Sequence, residues 1–351
     1  MVRGCKAVRA KYIYSEEDKK VSISICVIGC GGIASSVHGP SYIKYKKQNG
    51  LLELAACCDT DMKKAEEFKI KFGFKRSYDD YKKMLENEKP SAVCVIVTEK
   101  AIAEIASTVL EMGYPVFMEK PPGRNTAEIN KIMDAAKKGD TPNQVAFNRR
   151  YIPLVRELKA RLKREYEPSD IQNIRYDFFR VDRRDYDFSE TAIHGIDTVR
   201  YLAGSDYSYI RFHYQEFPEL GENVANIYMD CDFKSGATAQ LSFCPVAGTI
   251  IERATVNLYD NTYFLDIPIW SAMDCPGRLL HVKGGKIISD VSGKEISDGK
   301  EMFEESGFYA ENKSFFDDIS MGKYPENNIT TAVQSVEIAD CIRKRIKEYK
   351  F

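Results

Sequence analysis

Apolar residues recur along residues 22–150 in two alternating rhythms. Runs at 22–28, 51–58, 91–97, 114–118 and 144–147 carry few polar interruptions and are rich in β-branched residues, the pattern of strands buried on both faces. Between them, 61–72, 78–88, 101–112 and 126–138 repeat apolar positions every three or four residues and read as amphipathic helices, the third stopped by Gly113; a short strand falls near 74–77. Strand and helix alternate throughout. That rhythm predicts an α/β domain, a doubly wound parallel sheet covered on both faces.

From about residue 151 the rhythm changes. A helix at 152–165, a strand at 171–181 and a helix at 191–203 lead into short strand-like runs at 209–217, 223–233, 237–243, 250–258, 262–267, 279–282 and 286–290. This spacing predicts an α+β domain on a large, mostly antiparallel sheet, closed by helices at 308–320 and 330–347. The division is therefore a polar extension at 1–21 with a short strand at 10–14, a first domain at 22–150 and a second at 151–351.

The first strand breaks into Gly29-Cys30-Gly31-Gly32-Ile33-Ala34. A strand, a glycine turn and a helix start suit a dinucleotide: Gly29 allows the sharp turn, Gly31 admits the pyrophosphate, and Ala34 is small where helix meets strand. Backbone N–H groups at Gly32 and Ile33 open the helix toward the anion. The second strand ends in Asp59, 25 residues after Ala34, near the roughly 20 expected of a carboxylate that accepts from the adenine ribose hydroxyls. An acid there favours NAD, with NADP possible. The helix that follows the turn is interrupted at His38-Gly39-Pro40.

At 351 residues the chain holds about two domains. Its net charge of −1 makes no electrostatic case for nucleic acid or an anionic membrane surface. No apolar run spans a bilayer, and 1–22 lacks the apolar core of a secretory signal, so a cytoplasmic protein is expected. The ten cysteines form no CxxC pair and the four histidines are scattered, so free buried thiols are expected and no metal.

Two stretches carry chemistry. In Val116-Phe117-Met118-Glu119-Lys120-Pro121 a buried strand delivers Glu119 and Lys120 at its carboxyl end, where open α/β sheets bind ligands. A lysine in such a cleft has its ammonium disfavoured and can serve proton transfer or polarise a carbonyl. In Glu190-Thr-Ala-Ile-His194-Gly-Ile-Asp197-Thr-Val-Arg-Tyr201, residues 190, 194, 197 and 201 share a helical stripe about 60° wide. Glu190, one turn before His194, is expected to orient the imidazole and raise its basicity. Arg149, Arg150, Arg180, Arg183, Arg184 and Tyr186 are candidate substrate contacts, either for a carboxylate or phosphate or as a solvated cluster paired with Asp182, Asp185 and Asp187.

Taken together, Gly29–Ala34, Tyr78-Asp-Asp-Tyr-Lys-Lys-Met-Leu85, Glu119-Lys120-Pro121, Asn148-Arg-Arg-Tyr-Ile-Pro153, residues 190–204 and Gly307-Phe-Tyr-Ala-Glu-Asn-Lys-Ser-Phe-Phe316 resemble the family of glucose-fructose oxidoreductase, inositol dehydrogenase and the rhizopine-catabolism oxidoreductases. The resemblance implies a Rossmann domain followed by a domain whose open sheet joins subunits into homodimers or homotetramers. It implies a hydride transfer between NAD(P) and a secondary alcohol or ketone of a sugar, cyclitol or sugar derivative. Lys120 matches the family's active-site lysine and His194 its catalytic histidine, with Glu190 where inositol dehydrogenases carry an aspartate. Cofactor contacts are then expected at Gly29, Gly31, Gly32, Ile33, Ala34, Asp59, Thr98, Glu119 and Lys120, and substrate contacts at Lys120, Arg149, Tyr151, Asp197 and His194. Thr98-Glu99 departs from the family's common Thr-Pro. Two alternatives stand beside the dehydrogenase: an NAD-dependent glycosidase of the same family, and a non-catalytic sensor of NAD or sugar.

Overall fold

The computed structural model describes residues 20–270, 272–297 and 299–351. The strand expected at 10–14 lies outside these residues, as does all of the 1–21 extension except its last two positions. Strands β1 (Ile23–Ile28), β2 (Leu52–Cys58), β3 (Arg76–Tyr78), β4 (Ala92–Val95), β5 (Val116–Met118) and β6 (Asn143–Val145) form one parallel sheet in the order β3-β2-β1-β4-β5-β6. Every residue of β4, β5 and β6 is buried, as a sheet covered on both faces requires. The direction of winding reverses between β1 and β4, so the chain leaves both strands on either side of a crevice at their carboxyl ends.

Alternate residues of β1 enter two cores. Cys26 and Ile28 pack with Ile102, Val109, Ile129 and Ile132 of the helices on one face, while Ile23, Ile25 and Val27 pack with Tyr42, Tyr45, Phe68 and Phe72 on the other. That second face is completed from far along the chain. Helix Phe308–Ser320 lays Phe315 against Phe117 at 5.6 Å and Phe316 against Tyr45 at 5.1 Å, both phenylalanines fully buried. A boundary at residue 150 thus separates the sheets but not the cores.

The second sheet contains β7 (Ile171–Phe179), β8 (Tyr207–Glu216), β9 (Ala225–Phe233), β10 (Thr238–Cys244), β11 (Ile251–Leu258), β12 (Asn261–Asp266), β13 (Arg278–Lys283), β14 (Lys286–Ser292) and β15 (Glu348–Lys350). Its order is β14-β13-β12-β11-β7-β10-β9-β8-β15, antiparallel except for the β7–β10 pair. Along β9 the residues Ala225, Ile227, Met229, Cys231 and Phe233 are buried, and Asn226, Tyr228, Asp230 and Asp232 between them are not. This is the alternation of a sheet with one covered face. Its buried side packs against Ser189–Ala203, and that helix against Val333–Arg343.

Two expectations need correction. The helix expected at 330–347 is a 3-10 turn, Ile329–Ala332, followed by Val333–Arg343; Arg345 takes φ +54° and the chain then pairs with β8 as β15. The interruption at His38-Gly39-Pro40 is a widened turn rather than a break: the Gly39 N–H reaches back five residues to the Ala34 carbonyl before helix Gly39–Asn49 continues. Among the described residues, the nine cysteines are unpaired and no helix is long and apolar enough to cross a membrane.

Because Phe316 joins the last third of the chain to the first sheet, Phe316→Ala should lower unfolding stability by about 3–5 kcal/mol. A urea titration would show this as a lower midpoint at unchanged slope.

Candidate active site

One cavity of about 420 Å³ opens where the two sheets meet, within the range of small-molecule sites. Its first wall is the glycine turn. Gly29 has φ +97°, and a Cβ there would stand 2.0 Å from the Ile96 carbonyl oxygen, so only glycine makes this turn. Gly31 and Gly32, in contrast, face open space where a Cβ would be, and both line the cavity with Ile33 and Ala34. The helix begins here, so its first N–H groups have no acceptor within it. Asp59 grips the turn from behind, accepting from the Cys30 N–H at 2.9 Å and the Asp61 N–H at 3.0 Å. Thr98 begins the helix after β4, makes no capping bond with its side chain and lines the same cavity. A cradle with open glycines, free helix N–H groups and a carboxylate beyond them fits a dinucleotide.

The second wall begins at the end of β5. Glu119 accepts from the Lys120 N–H at 3.0 Å with one oxygen and meets His38 Nε2 at 2.8 Å with the other. His38, fully buried on the turn helix, has Asn312 of Phe308–Ser320 on its far side. The strand end carrying Lys120 is thereby tied to the glycine turn and to the helix that completes the core. Lys120 Nζ donates to the Glu190 carbonyl at 3.0 Å. Burial, with the Arg149 charge assisting and Glu119 opposing, pushes its ammonium down to about 8.

His194 closes the site from helix Ser189–Ala203, and here the reading of the helix stripe is corrected. On this stripe His194 and Asp197 are buried, 7% and 1% exposed, while Glu190 and Tyr201 are half-buried. Glu190 makes no hydrogen bond to His194. Arg149 Nη1 lies 3.1 Å from His194 Nε2, and a guanidinium can only donate, so Nε2 accepts and a neutral ring carries its proton on Nδ1, which has no partner. Burial and the charges of Arg149, Lys120 and Arg180 hold the imidazole well below its usual range, the opposite of the raised basicity expected. Glu190 lines the cavity with its carboxyl pushed up to about 7 by burial, Glu99 and Asp187.

Sequence reasoning missed the residue that orders this wall. Glu252, fully buried on β11, accepts from Arg149 at 2.8 and 3.3 Å, from Arg180, and from the Tyr176 hydroxyl at 3.0 Å. Burial opposes its charge, but the two guanidiniums outweigh that and hold it at about 2. The only available signal was a glutamate in an otherwise apolar strand start, Ile250-Ile251-Glu252. Trp270, the single tryptophan, also lines the cavity in a left-handed conformation with φ +49°.

The comparisons agree with this geometry. The model of an oxidoreductase family with an NAD-binding Rossmann fold matches residues 23–147. Residues 23–147 are thus similar to that family. D-glucoside 3-dehydrogenase of Escherichia coli is 31% identical over 116 residues, 33% of this chain and 32% of that protein. Inositol 2-dehydrogenase of Salmonella paratyphi B is 25% identical over 177 residues, 46% of this chain and 50% of that protein. These matches span a third to a half of the relatives' own lengths. The fold likeness runs further: levoglucosan dehydrogenase in complex with NADH superimposes with a TM-score of 0.79 at 18% identity, covering 94% of this chain and 99% of that one.

Between the two sheets, Gly31, Gly32, Ile33, Ala34, Thr98, Glu119, Lys120, Arg149, Glu190 and His194 all line the cavity. Asp59 and Gly29 support it from behind. Asp197 and Tyr151, expected at the substrate, do not line it. Asp197 is turned away into a paired contact with Arg150, at 2.6 and 2.8 Å, and also accepts from Ser335 at 3.1 Å. Of the arginine cluster, Arg149, Arg180 and Arg183 reach the cavity; Arg184 pairs with Asp182 at the surface.

Asp59→Ala would leave the Cys30 N–H of the turn and the Asp61 N–H of the loop after β2 without their acceptor. NAD affinity by calorimetry should fall about tenfold, with a smaller loss for NADP, since one such group is worth about 1–3 kcal/mol.

Proposed function

We propose that this chain catalyses a reversible NAD(H)-dependent oxidation of a secondary alcohol on a sugar, cyclitol or sugar derivative. The observation that carries the proposal is the meeting of Lys120 and His194 in the cavity that the glycine turn opens into. The similarity to glucoside, inositol and levoglucosan dehydrogenases supports the substrate class. Gly31, Gly32, Ile33 and Thr98 would hold the dinucleotide, and when bound it supplies or accepts the hydride.

The remaining work falls to side chains. Lys120 spends one N–H on the Glu190 carbonyl and offers the others to the reacting oxygen. Near 8, its amine and ammonium forms are both accessible, as proton transfer at neutral pH requires. In oxidation the amine takes the hydroxyl proton; in reduction the ammonium returns it. His194 stays neutral and, held by Arg149, positions the same oxygen by hydrogen bonding rather than by charge. A second copy of the chain on the open face of the second sheet belongs to the same reading. That face exposes Phe264 on β12, and across the sheet carries partly covered Tyr228 on β9 and Tyr209 on β8.

The test is NADH formation with purified protein and a panel of sugars, inositols and sugar acids. Net reduction of NAD by one of them is expected; tight NAD binding with no reduction across the panel would overturn the dehydrogenase reading in favour of a glycosidase or a sensor.

The pH profile follows from Lys120. Oxidation needs the amine, so kcat/KM should rise with pH and level off above about 8; reduction needs the ammonium and should fall over the same interval. Lys120→Met should cost at least about a hundredfold and abolish the inflection. An inflection that survives the substitution would assign the proton to another group.

A further inference from the structure

The inner wall of the cavity carries more positive than negative charge. Lys120, Arg149 and Arg180 lie there, the two arginines 4% and 7% exposed, and Arg149 and Arg180 share the single carboxylate of Glu252. The other carboxylate at this depth, Glu119, faces His38. Glu190 stands at half burial among Glu99 and Asp187, which together discourage its ionisation near neutral pH. Arg183 is exposed and paired with Asp185 at 2.6 Å. Three cations against two carboxylates leave a surplus of one before Glu190 is considered.

The donors of this wall are also not fully spent. Arg180 uses Nη1 on the carbonyls of Phe179 and Ile251, at 2.8 and 3.4 Å, and one Nη2–H on Glu252. Its Nε–H and second Nη2–H have no acceptor among the described residues. Lys120 Nζ has a single carbonyl for partner. Two buried guanidiniums that share one carboxylate are incompletely neutralised, and an anion brought by a ligand on the cavity side would neutralise them further. The edge of a guanidinium matches a carboxylate or phosphate with two parallel bonds.

We propose that the substrate is an anionic polyol, a sugar or cyclitol derivative bearing a carboxylate or phosphate, whose anionic group docks on Arg180 beside Arg149 while its reacting hydroxyl lies at Lys120. This rests on the oxidoreductase reading of the cavity and narrows its substrate class. Trp270, on the same cavity, gives a binding signal independent of turnover.

The test is titration of the full-length protein with saturating NAD, so that the dinucleotide's own charge is in place, followed by Trp270 fluorescence and calorimetry. The probes are D-glucose and myo-inositol against D-glucuronate and D-glucose 6-phosphate; the last two separate a carboxylate from a phosphate. At least one anionic sugar is expected to bind about tenfold or more tightly than either neutral one. Its advantage should shrink as salt is raised from about 0.05 to about 0.5 M. Arg180→Gln should reduce the advantage to near parity; if that variant does not fold, the salt series on the unaltered protein decides. Neutral polyols binding as well as anionic ones, or no probe binding at all, would overturn the inference. Reduction of NAD by neutral polyols alone would sink it and leave the oxidoreductase reading standing. Tight binding of an anionic sugar without any NADH would do the reverse.

Discussion

The buried carboxylate of Glu252 is the constraint on which the second domain's side of the cavity depends. Two guanidiniums from different elements, Arg149 on the 3-10 turn after β6 and Arg180 at the end of β7, converge on it within a fully desolvated pocket. Removing the carboxylate would leave two buried cations facing each other, a far larger loss than any single surface ion pair involves. Arg149, once anchored there, has its Nη1 group fixed toward His194 and Asn148. The orientation of the histidine thus follows from a carboxylate it does not touch.

A second tie performs the equivalent task on the first domain. His38 sits in the widened helical turn directly after the glycines, and its bond to Glu119 joins that turn to the strand end bearing Lys120. Asn312 extends the tie to helix Phe308–Ser320. A shift of the glycine turn would therefore move Lys120 as well. The hydride transfer proposed for this cavity would depend on such coupling, because misplacement by about 1 Å is enough to lose a hundredfold in rate.

Sequence periodicity was informative where a single element decided its own environment. The strands of the first sheet, the glycine turn, Asp59 and the helix at 308–320 were all legible, since burial on both faces or the demands of a turn leave a local imprint. Long-range pairing left none. Glu190 and His194 share a helical face, as their spacing indicated, but the helix is covered by the second sheet and helix Val333–Arg343, and Arg149, 45 residues earlier, outcompetes Glu190 for the ring. Asp197 falls on the same stripe and is claimed by Arg150. Glu252 looked like one more strand residue, because its importance arises only from two arginines brought to it by the fold. The end of the last helix was misjudged because Glu348–Lys350 gains hydrogen bonds as an edge strand on β8 that a helix-period pattern cannot register.

The same charge surplus links proton affinity to occupancy. In the structure as it stands, burial and the neighbouring guanidinium disfavour the Lys120 ammonium, while the cations around His194 keep its ring neutral. An anion seated on Arg180 would offset part of that field and favour the protonated lysine. The effect has opposite consequences for the two directions. A substrate that carries the anion to its reduction would help load Lys120 with the proton it must give. In oxidation the positive nicotinamide of the oxidised cofactor would offset the anion before transfer and keep the lysine able to take the proton. The surplus of one would thus be cancelled by the anion beside a reduced, neutral nicotinamide and restored beside the oxidised one.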